Sequence, residues 1–235
     1  MKQMRFIQPP FFEIGPKSYL YGDDIIELAK IVDEASEKYG VQVIFTAPYL
    51  SIAEVARVTK NLVVCAPFMD NIPIGRGYTR ILPEGIKAAG AVGVMLNHSE
   101  HPLTLSDLCG TVKRAENLYL GTVICADSVN EIKMVAQLHP DVIIAEPVEL
   151  IGTGKAGDLS YVKQSMDVIK AIDPNIQVLV GAGITTGQDV YDVIYAGADA
   201  TGSSSGIMKA PDKRAIVNEM LCAARQAWDD RHAGK

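Results

Sequence analysis

Three side chains suited to proton-transfer chemistry follow short apolar runs of the sequence. Lys17 is the third residue after one run, His98 is the second residue after another, and Glu146 comes directly after a third. A desolvated carboxylate acts as a general base, and a neutral imidazole or an ammonium group stabilises negative charge on a carbonyl oxygen. This set is suited to moving a proton next to a carbonyl group, provided that the fold brings the three side chains together.

Each of these residues also has a structural interpretation when it is taken alone. A histidine where a strand gives way to a helix meets the backbone N–H groups of the turn, which lower its pKa and favour neutral imidazole. Taken alone, His98 fits a turn cap, Glu146 an ion-paired surface carboxylate and Lys17 a solvated charge. The catalytic hypothesis therefore depends on the combination.

The segment after Glu146 has the composition of a loop that closes over a ligand. A proline stiffens its start, apolar side chains in its middle are able to cover a site, and its glycines permit hinge-like changes of φ and ψ. We predict a lid over residues 147–155 that includes Pro147, Val148, Ile151, Gly152, Thr153, Gly154 and Lys155.

Gly152, Gly154 and Gly157 also have the spacing of a dinucleotide-binding motif. In that motif the first glycine opens the turn directly after a strand, whereas residues 146–151 intervene here. A P-loop is not matched either, because alanine follows Lys155. The sequence therefore predicts neither nucleotide site.

Two later segments, residues 181–187 and 202–206, are rich in glycine and small hydroxyl residues. Each follows a short apolar run. In many barrels the backbone N–H groups of such loops, with the start of a short helix, bind phosphate. We predict a phosphate site that includes Gly152, Gly183, Thr185, Ser204 and Ser205.

Apolar runs alternate with helical patterns about every 25 to 30 residues, close to the size of a βα unit. The runs predict strands at residues 11–14, 41–45, 62–66, 91–96, 120–125, 142–145, 177–180 and 198–201. The 3.6-residue patterns predict helices at residues 24–37, 51–58, 83–89, 105–114, 129–138, 161–172, 189–196 and 213–228.

About eight such units predict an α/β fold, a single (β/α)8 TIM barrel that spans residues 1–235. A doubly wound sheet is the competing architecture, but its common forms have about five or six strands. In a barrel the chemistry lies at the C-terminal ends of the strands, where the predicted functional residues stand.

The composition limits the class of protein. The 235 residues carry a formal net charge of −6, and 48% of them are hydrophobic. This balance excludes a mainly disordered chain and argues against non-specific nucleic-acid binding, which needs clustered Lys and Arg. No run approaches the roughly 20 apolar residues that span a bilayer, and residues 1–10 lack a signal-peptide core. We expect a cytoplasmic protein with neither a nucleic-acid nor a membrane partner.

The four cysteines are scattered along the chain and have neither the spacing of a zinc site nor that of a disulfide scaffold. No metal site is predicted. We interpret all four as small buried side chains, namely Cys65, Cys109, Cys125 and Cys222.

Together these motifs resemble the triosephosphate isomerase family, in the short form typical of archaea, over nearly the whole chain. The family's catalytic histidine motif is matched by residues 96–100, and its catalytic glutamate and lid are matched by Glu146-Pro147 and residues 151–155. Its phosphate loops are matched by residues 181–186 and 204–206, and Lys17 matches its active-site lysine.

The resemblance implies an aldose–ketose isomerase that interconverts glyceraldehyde 3-phosphate and dihydroxyacetone phosphate through an enediolate. Glu146 would be the base, neutral His98 and Lys17 would stabilise the enediolate, and Glu100 would orient Lys17. The lid would close over the phosphate and exclude water. No metal or organic cofactor is implied. The implied partners are a small phosphorylated sugar and further copies of the chain, in a dimer or tetramer.

Several residues depart from the family pattern. Gly15 stands where the family normally has Asn, and His101 and Pro102 stand where it usually has two arginines. The segment 67–80 also differs from the family's dimer loop. Because Gly15 leaves room for an extra hydroxymethyl group, a paralogous isomerase that acts on a larger sugar phosphate, such as a tetrulose or tetrose phosphate, remains an alternative.

Two alternatives come from other classes. A metal-dependent sugar-phosphate epimerase would present paired His and Asp ligands at strand ends, where only His98 qualifies. A non-catalytic phosphosugar sensor would lose the base or the electrophile, whereas Glu146, His98 and Lys17 are all present. Both are less favoured than an isomerase.

Overall fold

The computed structural model describes residues 6–147, 159–181 and 183–233. Eight parallel strands close into a barrel in which each strand pairs with its neighbours in chain order and the last pairs with the first. The predicted (β/α)8 barrel is confirmed. The strands are β1 (Phe11–Ile14), β2 (Gln42–Thr46), β3 (Leu62–Ala66), β4 (Gly93–Leu96), β5 (Gly121–Ala126), β6 (Val142–Ala145), β7 (Gln177–Val180) and β8 (Ala200–Gly202).

Every predicted helix is present among the described residues. The structure also contains a 3₁₀ turn (Tyr49–Ser51) and a short additional helix after β8. The helices are α1 (Asp23–Tyr39), α2 (Ile52–Val58), α3 (Pro83–Ala88), α4 (Leu105–Asn117), α5 (Val129–Ala136), α6 (Leu159–Ile172), α7 (Gly187–Tyr195), α8 (Ser205–Met208) and α9 (Lys213–His232). None of them is long and apolar enough to cross a bilayer.

Local signals in the sequence explain where several helices begin and end. Gly40 adopts a left-handed conformation with φ +61° and ends α1, as its position after the helical pattern indicates. Thr186 and Asp189 form a capping box at the start of α7, in which each side chain binds the backbone N–H of the other. The start of α7 therefore holds the end of the preceding loop in place.

Helix α9 continues past its predicted end at residue 228. Its apolar period stops near Trp228, but the Arg231 guanidinium lies over the Trp228 ring at 4.5 Å and donates to the carbonyl oxygens of Ile194 and Ala198. These polar contacts extend the helix where the hydrophobic pattern no longer indicates one.

Four strands begin later than their apolar runs predict, and one of them is β2, which begins at Gln42 rather than at the buried Val41. The ladders of β4, β5 and β8 begin at Gly93, Gly121 and Ala200, whereas the runs begin at residues 91, 120 and 198. Ala91, Leu120 and Ala198 are nevertheless almost completely buried. The turn before each strand packs into the same core, so apolar residues precede the hydrogen-bonded ladder.

Apolar side chains fill both faces of the barrel wall, as is typical of parallel strands. On β1, Phe12 and Ile14 belong to the cluster between the strands and the helices, whereas Phe11 belongs to the cluster inside the barrel. Successive side chains of a strand point to opposite faces. Glu13 therefore points inward, above Phe11.

The ring of Phe6 closes the N-terminal end of the barrel. A Cβ at Gly93 would lie 2.6 Å from Phe6 Cζ, and one at Gly121 would lie 2.2 Å from Phe6 Cδ2. Both distances are far below van der Waals contact, so only glycine fits beside the ring at these positions. Access to the barrel interior is consequently from the C-terminal ends of the strands.

The interpretation of all four cysteines as buried is wrong for two of them. Cys65 and Cys125 are buried inside the barrel, but Cys109 and Cys222 are exposed. Cys109 lies on α4 next to the buried Leu108, and one residue along a helix rotates a side chain by about 100°. The rotation turns Cys109 away from the core.

Candidate active site

The three predicted acid–base residues lie at the C-terminal ends of β1, β4 and β6. Lys17 itself has a positive φ of 47°, and Asn97, directly before His98, has a φ of 56°. Such left-handed conformations are uncommon for residues other than glycine and are concentrated at functional sites. Two of the three catalytic candidates therefore depend on backbone conformations that the surrounding contacts must maintain.

Lys17 joins the loop after β1 to the loop after β4. Its Nζ lies 2.8 Å from Glu100 Oε1 and 3.3 Å from His98 Nε2. The hydrogen bond from Lys17 lowers the pKa of Glu100, so this carboxyl is ionised at neutral pH. The ion pair holds the ammonium group beside the imidazole ring.

The hydrogen bonds of His98 determine which ring nitrogen carries the proton. The backbone N–H of Glu100 donates to Nδ1 at 3.1 Å, so Nδ1 is unprotonated and the proton of the neutral ring is on Nε2. Burial lowers the pKa of His98, the nearby Lys17 ammonium lowers it further, and the Glu100 charge opposes both. A neutral ring and an ammonium group thus present N–H donors to the same small region.

Asn97 anchors the loop that carries His98. Its side-chain Nδ2 donates to the carbonyl oxygen of Cys125 at 3.0 Å, and its Oδ1 accepts from the backbone N–H of Leu103 at 3.0 Å. These bonds tie the loop to β5 at one side and close it on itself at the other.

Glu146 extends from β6 toward the next strand. Its backbone N–H donates to the carbonyl oxygen of Ala126 at 3.0 Å, and a Cβ at Gly181 would lie 3.5 Å from its Oε1. Burial raises the pKa of Glu146, Lys17 lowers it, and the Glu100 charge raises it. A carboxylate with a raised pKa is a stronger base than an ordinary glutamate.

The loops after β7 and β8 contact each other closely. Ser203 Oγ donates to the carbonyl oxygen of Ile184 at 2.8 Å, and a Cβ at Gly206 would lie only 2.6 Å from that oxygen. Ser204 Oγ donates to the carbonyl oxygen of Gly15 at 2.6 Å. The β8 loop is thereby connected to the β7 loop and to the β1 loop that carries Lys17.

The predicted phosphate ligands in these loops differ in their available donors. Both the backbone N–H and the hydroxyl of Thr185 bind Asp189 Oδ2, at 2.9 and 3.2 Å. The backbone N–H groups of Ser204 and Ser205 donate to no group in the described part of the chain. Gly183 has a positive φ of 74°, which a glycine adopts without strain.

Most of the predicted lid lies outside the described residues. Pro147 directly follows Glu146 and is half-buried. The other lid predictions, including the phosphate ligand Gly152, fall within residues 148–158, which the structure does not describe; they are Val148, Ile151, Gly152, Thr153, Gly154 and Lys155.

A cavity of about 390 Å³ opens beside this cluster. Its lining includes Asn97, Ser99 and Glu146, which follow strands β4 and β6, together with Cys125 of β5 and Leu105 of α4. A volume of this size is in the range of small-molecule sites.

Two residues of this end of the barrel belong to no motif in the sequence. Glu13 of β1 points into the barrel, and Thr46 of β2 donates to it at 2.6 Å. The available signal was a charged residue within the otherwise apolar run of residues 11–14. Because that run is too short to show alternation, it does not indicate which face Glu13 occupies.

A closed (β/α)8 barrel with a base, a neutral imidazole and an ammonium group at the same strand ends defines the class of this protein, a TIM-barrel enzyme. Comparison with known proteins identifies the family. The family model for triosephosphate isomerase matches residues 16–220.

Similar proteins cover almost the whole chain. A triosephosphate isomerase of Sulfurisphaera tokodaii is 36% identical over 228 residues, which cover 95% of this chain and 99% of that protein. One of Sulfolobus acidocaldarius is 36% identical over 231 residues, which cover 96% and 99%. One of Methanobacterium bryantii is 35% identical over 217 residues, which cover 90% and 96%. The chain belongs to the triosephosphate isomerase family.

Proposed function

We propose that this chain interconverts glyceraldehyde 3-phosphate and dihydroxyacetone phosphate, a step of glycolysis and gluconeogenesis. The observation that carries the proposal is the approach of Lys17 to His98, with 3.3 Å between Nζ and Nε2, in a barrel that has Glu146 at a nearby strand end. Family membership supports this substrate pair.

The geometry supports a division of roles among the three residues. Ionised Glu146 takes a proton from the carbon next to the carbonyl group, and the protonated Glu146 returns it to the neighbouring carbon. His98 Nε2–H and Lys17 Nζ–H donate to the oxygens on which negative charge develops. Glu100 acts through Lys17, which it positions.

We propose that the phosphate binds between the loops after β7 and β8, on N–H groups of Gly183, Ser204 and Ser205. Two observations support this site: the two loops contact each other, and the N–H groups of Ser204 and Ser205 donate to no group among the described residues. Thr185, whose donors bind Asp189, contributes by shaping the loop. The lid, including Gly152, closes the site from above, which remains a prediction from the sequence.

The alternative of a larger sugar phosphate is not favoured. A Cβ at Gly15 would lie 3.1 Å from Glu13 Oε1, so the Glu13 carboxyl lies next to the space that the missing side chain leaves. Relatives that cover at least 90% of this chain are named triosephosphate isomerase.

Initial rates with glyceraldehyde 3-phosphate and with four- and five-carbon aldose and ketose phosphates test the proposed function. We expect the triose phosphate to have the highest kcat/KM, and Glu146→Gln to lower kcat at least about 10³-fold because it removes the base. Glu116→Gln, which alters an exposed carboxyl of α4, is the matched control. A fast reaction with a longer sugar and a slow one with the triose would overturn the assignment.

We further propose a homo-oligomer, dimer or tetramer, and a cytoplasmic location. Large exposed apolar side chains after β2 and β3 support the oligomer, since Leu50, Ile74 and Tyr78 are 101%, 73% and 110% exposed. The location is carried over from the sequence as an expectation, and cell fractionation tests it.

A further inference from the structure

Glu13 places a carboxyl group inside the barrel, just below the strand ends. No other residue of β1 to β8 carries a charge. Below Glu13 the barrel is filled by an apolar cluster that includes Phe11 and Ile44, and Phe6 closes the far end. Because Glu13 is nevertheless only half-buried and Phe6 closes the other end, its exposed part faces the open, C-terminal end of the barrel.

Two glycines leave the carboxyl group uncovered. A Cβ at Gly15 would lie 3.1 Å from Oε1, and a Cβ at Gly202 would lie 3.2 Å from Oε2. Thr46 Oγ1 donates to Oε1 at 2.6 Å, and this is the one hydrogen bond to the carboxyl among the described residues. Oε2 thus has hydrogen-bonding capacity that the described protein does not use.

The surroundings of Glu13 favour its protonated form. Desolvation inside the barrel raises the pKa of Glu13 to about 7; the hydrogen bond from Thr46 lowers it, the Glu146 charge raises it, and Lys17 lowers it. Burial also raises the pKa of the inward-facing thiols of Cys65 and Cys125, so both are neutral.

Neither strand beside β1 adds a charge. Strand β2 contributes Thr46 and strand β8 contributes Gly202. When Glu13 is protonated, the donated bond from Thr46 occupies Oε1, and the acid proton is on Oε2.

We propose that Glu13 is a further catalytic residue, whose carboxylic acid form donates a hydrogen bond from Oε2 to an oxygen of the bound sugar phosphate. This inference rests on the proposed isomerase function. The acid supplies a donor next to the space that Gly15 leaves without a side chain. An ionised Glu13 would lose that donor and add a negative charge beside a dianionic substrate, so turnover depends on the proton.

The pH dependence of kcat/KM for glyceraldehyde 3-phosphate tests the proposal, because this parameter reports the ionisations of the free enzyme. We expect the wild-type value to fall as the pH rises through about 7. Glu13→Gln retains an N–H donor that does not titrate. It should lower kcat/KM several-fold at pH 6 and abolish the fall above pH 7.

Two further variants separate a catalytic role from a structural one. Glu13→Leu has no donor and should lower kcat/KM by about 10²-fold at pH 6, the typical effect of losing one donor to a developing oxyanion. Thr46→Val removes a bond that lowers the pKa of Glu13, so the fall in kcat/KM should move to higher pH. If Glu13 had only a structural role, Glu13→Gln would keep the pH profile of the wild type, and Thr46→Val would not displace the fall in kcat/KM.

Identical pH profiles for the wild type and Glu13→Gln, or full activity of Glu13→Leu at pH 6, would overturn the proposal. Should Glu13→Leu fail to fold, the isosteric Glu13→Gln and Thr46→Val decide the question. If the wild type does not isomerise glyceraldehyde 3-phosphate, the proposed function fails instead. Infrared spectra of the wild type and Glu13→Gln between pH 5 and 9 then still show whether Glu13 holds a proton near pH 7.

Discussion

Desolvation shifts the pKa values of the histidine and of two carboxyl groups at this site in opposite directions, and in both cases it favours the neutral form. It lowers the pKa of His98, which keeps the imidazole neutral, and raises the pKa of Glu146 and Glu13, which brings both carboxyl groups closer to neutrality. Glu100, in contrast, is kept ionised by its hydrogen bond from Lys17. One physical effect thus provides both a neutral donor and a strong base at the same end of the barrel.

The raised pKa of Glu13 also predicts a pH dependence of stability. The carboxyl binds its proton below about pH 7 in the folded chain but has an ordinary pKa of 4.5 when exposed. Between these pH values the folded state binds more protons than the unfolded state, so the free energy of unfolding decreases as the pH rises. Glu13→Gln removes this contribution.

We therefore compare the melting temperatures of Glu13→Gln and the wild type. The value for the variant minus the value for the wild type should increase as the pH rises from 5 to 8. Circular dichroism melts at several pH values measure this difference, with Glu116→Gln as a control that should stay parallel to the wild type. A constant difference across the range would show that Glu13 titrates normally in the folded chain.

At the scale of elements, the loops after β7 and β8 act as one unit. The bond from Ser203 Oγ to the Ile184 carbonyl oxygen joins them, and the absence of a side chain at Gly206 permits the approach. The capping box of Thr186 and Asp189 holds one loop against α7. The bond between the loops and the capping box therefore position the proposed phosphate donors before any ligand binds.

Gly206→Ala tests the importance of this contact. Its Cβ would lie 2.6 Å from both the Ile184 carbonyl oxygen and Ser203 Oγ, so the two loops must separate. We expect KM for glyceraldehyde 3-phosphate to rise at least about tenfold, with a loss of stability of about 1–3 kcal/mol typical of overpacking.

Gly85→Ala is the matched control for Gly206→Ala. Gly85 is exposed on α3, and a Cβ there would meet only Leu82 Cβ at an ordinary 3.8 Å. Steady-state kinetics and thermal melts of both variants give the comparison. Equal KM values for the two variants would show that the loop contact does not affect phosphate binding.

At the scale of the whole molecule, the barrel has one closed and one open end. Phe6 occupies the N-terminal end, while the loops at the opposite end carry the acid–base groups and leave apolar side chains exposed. The Tyr49 hydroxyl donates to the carbonyl oxygen of Phe68, which connects the segment around Leu50 to the loop after β3. This connected surface is our candidate for contact between subunits.

Light scattering at micromolar concentration tests the predicted oligomer. We expect a mass of at least twice the 25.3 kDa of the chain. Tyr78→Glu should lower that mass, because it places a charge on the exposed apolar surface, whereas Tyr195→Glu on α7 is a control with a similar change elsewhere. A monomeric wild type would contradict the prediction.

The sequence by itself determined the number of βα units, the positions of most elements and the residues that follow the strands. Strands β1, β3, β6 and β7 have the bounds that their apolar runs predict. These features are local, because helical periodicity, glycine stops and β-branched runs act within about 20 residues. Family resemblance added the expected roles of Lys17, His98 and Glu146.

Only the tertiary structure decided which side chains meet and which face of a strand is inside. Lys17 and His98 are 81 residues apart, and their contact depends on the pairing of every strand between them. Glu13 illustrates the second point, which face of a strand is inside. The strands of a parallel barrel are buried on both faces, so an apolar run lacks the alternation that would mark its inner side. Closure of the barrel makes that choice and places the Glu13 carboxyl inside the barrel, beside Thr46 of β2.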